Sequence, residues 1–203
     1  LFITLGGMKV IGYTDVFQVL VLTVGGLVTT YIALTVVSEQ FGMGKNMIAG
    51  FQKLMQAAPD HFKMIFDKPG PGATQKEIED YSSLPGMAMM VAGIWVAHLN
   101  YWGCNQYITQ RALGADLKTA RTGILFAAFL KLMMPILVVV PGIAAYVLYQ
   151  NGGLQTQMMT GGVLNQDNAY SAVVGFLPVG LKGLSMAALT AAIVASLAGK
   201  ANS

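Results

Sequence analysis

The chain has 203 residues, of which 55% are hydrophobic and only 10% charged, with a formal net charge of +3. A soluble globular domain carries about 25% charged residues, so this composition excludes a water-soluble particle of the same size. The 12 Lys and Arg are scattered without basic, aromatic-interleaved runs, and Cys104 is the single cysteine, so a nucleic-acid surface, a disulfide framework and a Cys/His metal cluster are all excluded.

The chain opens on an apolar run, Leu1 to Leu5, which Gly6-Gly7 is expected to break as the end of a preceding helix. It has no initiator Met and stops at Ala201-Asn202-Ser203 without a tail, so both ends read as cuts through a longer protein. A helix needs roughly 20 mostly apolar residues to cross a bilayer, and the spacing of the charges predicts four such spans. The first covers residues 10–37, because the 23 residues between Asp15 and Glu39 are uncharged. Residues 39–83 form a polar loop in which five Lys face six Asp and Glu, with an irregular Pro69-Gly70-Pro71-Gly72 run.

The second span covers residues 84–107, within an uncharged stretch of 30 residues from Asp80 to Arg111. A short basic loop, residues 110–122, follows with Arg111, Lys118 and Arg121 against Asp116. The third span, residues 123–148, is interrupted only by Lys131. Residues 151–171 form a Gly-rich polar loop carrying one charge, Asp167, and the fourth span covers residues 178–199. Lys and Arg in short loops mark the cytoplasmic side. The 110–122 loop is therefore inside, together with Lys9 and Lys200, and the two long loops are outside. Lys182 then lies near the outer end of its span, where its stem can snorkel. The predicted fold class is an all-α, multi-pass membrane bundle of about four transmembrane helices plus the end of a preceding one.

Polar groups at membrane depth carry the functional signal, because a charge there costs roughly 2.5–3.5 kcal/mol and needs a cavity or a partner. Lys131 is either a donor to a polar solute or one half of a structural pair. The second span carries His98, Asn100, Tyr101, Trp102, Gly103, Asn105 and Gln106. Gly103 weakens the helix there, and transporters place solutes and ions at discontinuous helices; interhelical hydrogen bonding is the plainer reading. The fourth span is rich in small residues from Ala187 to Ser196. These permit close packing, or expose carbonyls and the Ser196 hydroxyl to a hard cation. Asp15, at the inner end of the first span, caps or pairs near the interface. No GxSxG, Walker loop or paired carboxylates occur, so no catalytic residue and no enzyme is predicted.

Gly6-Gly7-Met8-Lys9-Val10-Ile11-Gly12-Tyr13-Thr14-Asp15 resembles the Gly-Gly to Thr-Asp signature of the sodium/solute symporters. Ala58-Pro59-Asp60-His61-Phe62, Tyr101-Trp102-Gly103-Cys104-Asn105-Gln106-Tyr107-Ile108-Thr109-Gln110-Arg111, Phe126-Ala127-Ala128-Phe129-Leu130-Lys131 and Pro141-Gly142-Ile143-Ala144-Ala145-Tyr146 are similar to its sodium/glucose cotransporter branch. The resemblance covers nearly the whole chain. It implies part of a LeuT-type inverted-repeat core: the end of the fourth core helix and the fifth to eighth. It implies that Lys131 contacts the sugar, that Tyr101 is the inner-gate aromatic, and that His98 replaces a sugar-contacting Asn or Thr. It also implies sodium ligation by Ala192, Ala195 and Ser196, and a place for Asp15 near the sodium exit path. The family often has two adjacent serines where this chain has Ala195-Ser196, so one hydroxyl is missing.

These features predict sodium-coupled symport of a sugar by alternating access. The expected partners are the sodium ion, a small polar solute and the lipid bilayer, with no nucleic acid. No cofactor is expected beyond Na+ as coupling ion, and the site is a plasma (inner) membrane. The alternatives are a symporter for a polyol, amino acid or other solute, and a non-transporting membrane sensor or structural subunit.

Overall fold

The computed structural model describes residues 2–83 and 86–201, so Leu1, Leu84, Pro85 and Asn202-Ser203 of the predicted segments lie outside the described residues. In chain order the elements are α1 (Phe2–Gln40), α2 (Met47–Ala57), a 3-10 turn (Pro59–Phe62), α3 (Gln75–Ser83) and α4 (Gly86–Ala88). A π-helical turn (Met89–Gly93), α5 (Ile94–Leu99), a second π-helical turn (Asn100–Cys104), α6 (Gln106–Leu113) and α7 (Leu117–Met134) follow. A third π-helical turn (Pro135–Val139) leads into α8 (Val140–Gln150), then α9 (Gln155–Met158) and the strands β1 (Met159–Thr160) and β2 (Val163–Leu164). A 3-10 turn (Gln166–Asn168), α10 (Ala169–Val174) and α11 (Val179–Ala201) complete the described chain.

Among the described residues, four helical runs are long and apolar enough to cross a membrane: Gly12–Gln40, Gln75–Cys104 (in which Leu84 and Pro85 are not described), Leu117–Gln150 and Val179–Ala198. The fold is that of an all-α membrane protein. One local expectation fails. Gly6-Gly7 does not break α1, which runs from Phe2 to Gln40; a glycine within a helix costs only about 1 kcal/mol, which a long apolar helix can absorb.

The chain divides into two compact units, one built from residues 2–59 and 127–201 and the other from residues 60–126. In the first, α1 packs against α2, α8, α10 and α11. The core gathers at the C-terminal end of α1, where Ala33 and Val37 are fully buried with Leu54 of α2, Ala144 and Ala145 of α8 and Val173 of α10. Two adjacent glycines let α1 approach two neighbours at once. A Cβ on Gly25 would lie 3.2 Å from Ser185 Oγ, and one on Gly26 would lie 3.1 Å from Leu137 Cδ2. Small residues are how membrane helices bring backbones together, since lipid offers no hydrophobic drive between them.

The polar 39–83 stretch is not structureless. Asn46 caps α2, its Oδ1 accepting from the N–H of Ile48 at 3.0 Å and of Ala49 at 3.3 Å. That helix turns Gly50 and Leu54 inward, with Gly50 so close to the Leu34 carbonyl that no side chain fits between them. In the 151–171 loop, β1 and β2 pair as an antiparallel hairpin. Gly161 and Gly162 turn it with φ of 62° and 83°, the positive pair that a two-residue type I′ turn demands.

In the second unit, Thr74 and Glu77 form a reciprocal cap ahead of α3. Glu77 Oε2 accepts from the Thr74 N–H at 2.8 Å, and Thr74 Oγ1 accepts from the Glu77 N–H at 3.4 Å. Asp116 opens α7 in the same manner: its carboxylate accepts from the Thr119 hydroxyl at 2.6 Å and from the Thr119 N–H at 3.1 Å. Those two bonds, the hydroxyl's first, hold the Asp116 carboxyl below its usual range. The support they lend α7 is present above the ordinary carboxylate pKa and is lost as pH falls through the lowered one. The apolar side chains of this unit face outward. Trp95 is 63% exposed, Val96 70% and Leu99 67%, a display that only lipid or further helices can cover.

Candidate functional site

The second membrane run ends by breaking. α5 passes into the π-helical turn Asn100–Cys104 and stops at Asn105, whose backbone is extended at φ −75°, ψ 113°. The Asn105 side chain then caps the next helix, accepting from the Tyr107 N–H at 3.1 Å, while its carbonyl accepts from the Thr109 N–H at 3.0 Å. An interruption of this kind leaves carbonyls at the end of one segment and N–H groups at the start of the next without helical partners. These are the groups with which discontinuous membrane helices hold solutes and ions. The break falls inside the polar cluster of the sequence, two residues after Gly103.

His98 lies in the last turn of α5 and Tyr101 in the π-helical turn, and both are exposed within the chain. Three residues apart, they share a helical face. The Tyr101 and Trp102 rings meet edge to face, with centroids 5.4 Å apart and planes at 85°, so Trp102 fixes the orientation of the tyrosine ring. Beyond the break, Arg111 is tied to its own helix. Its guanidinium sits 4.5 Å from the centre of the Tyr107 ring and donates to the Tyr107 hydroxyl at 3.0 Å.

Lys131 lies in the last turn of α7 and is exposed within the chain. Pro135, four residues on, has no N–H with which to bond the Lys131 carbonyl. The helix continues into the π-helical turn Pro135–Val139, in which the Val140 N–H reaches the Pro135 carbonyl. π-turns inside α-helices are uncommon and concentrate at functional sites.

Ala192, Ala195 and Ser196 lie on α11 and are half-buried. An apolar groove of about 440 Å³ runs between α1 and α11, lined by Thr14, Phe17, Gln18, Ala187, Ala188 and Ala191 among others. At 100° per residue, Ala195 follows Ala188 on the same stripe of α11, and Ser196 is turned one step from it. The two helices run antiparallel, residues 13–21 lying against residues 184–191 and residues 20–28 against residues 177–185, with Gly25 opposite Ser185. Asp15 is half-buried on α1. Among the described residues no group of three or more His, Cys, Asp or Glu could hold a metal ion.

Thr30 is a further buried polar residue, which the sequence does not single out. It is 5% exposed on α1, and its hydroxyl lies 2.8 Å from the Ile136 carbonyl and 2.9 Å from the Gly26 carbonyl. The signal available was a Thr29-Thr30 pair in an apolar span followed, a hundred residues on, by two prolines six apart.

A family model for the sodium:solute symporters matches residues 1–203. The chain is 45% identical over 205 residues to a sodium/glucose cotransporter of Vibrio parahaemolyticus, covering 98% of this chain and 36% of that protein. It is 30% identical over 208 residues to a sodium/mannose cotransporter of Bos taurus, covering 98% of this chain and 34% of that protein. It is also 30% identical over 217 residues to a sodium/myo-inositol cotransporter 2 of Oryctolagus cuniculus, covering 100% of this chain and 31% of that protein. The chain spans about a third of the length of these relatives.

Proposed function

We propose, from the premise that this chain belongs to the sodium:solute symporter family, that the whole protein couples sodium entry to uptake of a sugar by alternating access in a plasma (inner) membrane. The observation that carries this reading is the helix break at Asn105, directly after a polar, aromatic turn holding Tyr101. Transporters place solutes and ions where membrane helices are interrupted, since the break frees backbone groups to meet them. In this reading Lys131 donates to a sugar hydroxyl, Tyr101 stacks under the ring as inner gate, and His98 contacts the solute. Ala192 and Ala195 offer carbonyl oxygens and Ser196 its hydroxyl to Na+, and Asp15 lies along the ion's way out. Sodium binds first and favours the outward-open state, by no more than its differential affinity for the two states.

The gate is tested on Tyr101. Tyr101→Phe is expected to keep sugar transport close to wild type, since the stacking face survives, and Tyr101→Ala to lose most of it. Counterflow of labelled sugar into liposomes reads this directly, and equal transport by both variants would remove the gate.

A polyol is the second solute reading. A myo-inositol cotransporter is among the relatives, and the bulk of the His98 ring, where the family carries a smaller Asn or Thr, bears on solute choice. Competition of counterflow by unlabelled glucose, galactose, mannose and myo-inositol separates the two. The first reading expects a hexose to compete best, and strongest competition by myo-inositol would replace it with the second.

A further inference from the structure

The π-helical turn after Lys131 leaves one carbonyl without a backbone donor. In an α-helix the Val140 N–H would bond the Ile136 carbonyl, but here it reaches back to Pro135. The next residue, Pro141, has no N–H to offer in its place. The Thr30 hydroxyl, from α1, donates to that Ile136 carbonyl at 2.8 Å. Gly26, one turn earlier on α1, makes the approach possible, since a Cβ there would press on Leu137.

The turn matters for Lys131 because it inserts one residue into the helix. Relative to an unbroken α-helix, the insertion rotates the half before it by about 100° against the half after it. The half after it is anchored: Ala144 and Ala145 of α8 are fully buried. The direction in which the Lys131 half faces is therefore set by whether the turn stays π-helical. The Thr30 bond favours that state. If the helix reverted to α geometry, the Val140 N–H would occupy the Ile136 carbonyl, and the single Thr30 hydroxyl hydrogen would turn to the Gly26 carbonyl, 2.9 Å away.

We infer that Thr30 is a positioning residue for solute binding, holding the Pro135–Val139 turn in its π-helical form and so aiming Lys131. This rests on the proposed contact between Lys131 and the sugar. The same interaction gives a second handle. Replacing Pro141 by alanine supplies a backbone N–H that can take the Ile136 carbonyl by continuing the π pattern, which makes the Thr30 hydroxyl dispensable.

The test is a mutant cycle on the whole protein in liposomes, reading half-saturating sugar at saturating sodium and half-saturating sodium separately. Thr30→Val keeps the shape of the side chain and removes the donor; it is expected to raise half-saturating sugar about tenfold and to leave half-saturating sodium unchanged. Thr30→Ser is expected to match wild type, and Thr30→Val with Pro141→Ala to recover sugar affinity and, should the single variant fold poorly, its yield. In a Lys131→Ala background, Thr30→Val is expected to add nothing, because the group it aims is gone. A loss that adds fully in that background, or a Thr30→Val protein with wild-type sugar affinity, would overturn the inference while leaving the Lys131 contact standing. A Lys131→Ala protein with wild-type sugar affinity would overturn both.

Discussion

Lys131→Ala in the whole protein is expected to weaken sugar binding by about 10- to 100-fold, the loss that goes with one hydrogen bond from a charged donor. Lys131 is the only charge in its predicted span, and an ammonium at that depth is retained where a polar solute, a partner group or water meets it. It lies one helical turn ahead of the π-helical turn Pro135–Val139. Sodium affinity measured without sugar is expected to be unchanged, which separates a lost contact from a damaged fold. Isothermal titration or scintillation-proximity binding of labelled sugar to purified protein reads the effect. An unchanged sugar affinity would make Lys131 a structural residue.

Ser196→Ala is expected to raise half-saturating sodium about tenfold, while sugar affinity at saturating sodium stays near wild type. A hard cation takes several oxygen ligands, and Ser196 would supply a side-chain oxygen from α11, one step round the helix from Ala195; Ala192 and Ala195 could give only carbonyls. Ala195→Ser restores a second hydroxyl and is expected to lower half-saturating sodium or leave it alone. The competing reading is that Ser196 bonds back to its own helix, as Thr190 does to the Met186 carbonyl at 2.8 Å. On that reading Ser196→Ala leaves the sodium dependence of transport intact, and the sodium assignment to α11 falls.

Much of the fold was legible because the bilayer imposes simple constraints. Long uncharged stretches with charge between them mark membrane helices whatever their partners. The interruption in the second span was legible in kind but displaced. Gly103 looked like the weak point, yet it is carried within the π-helical turn. The break comes at Asn105, where a side chain can cap the following helix. Helices within the polar 39–83 stretch were hidden by composition, although their local signals are plain afterwards: Asn46 ahead of α2, and Thr74 with Glu77 ahead of α3. The Gly161-Gly162 hairpin is of the same kind.

The π-helical turn at Pro135–Val139 could not be read from the third span alone. Pro135 and Pro141 announce missing donors, but whether the helix kinks, opens or shifts register depends on who satisfies the freed carbonyls. That answer lies 106 residues away at Thr30. The groove between α1 and α11 was equally out of reach, because it follows from how the two helices pack, with Gly25 against Ser185.

Coupling is the central claim, and sodium-gradient-driven uptake tests it most directly. The whole protein, reconstituted in sealed liposomes, is given labelled hexose with an inward sodium gradient, with an equal potassium gradient, and with sodium on both sides. The account predicts transient accumulation above the outside concentration with the sodium gradient, only equilibration with sodium on both sides, and little uptake with potassium. Uptake of equal rate and extent in sodium and in potassium would contradict it.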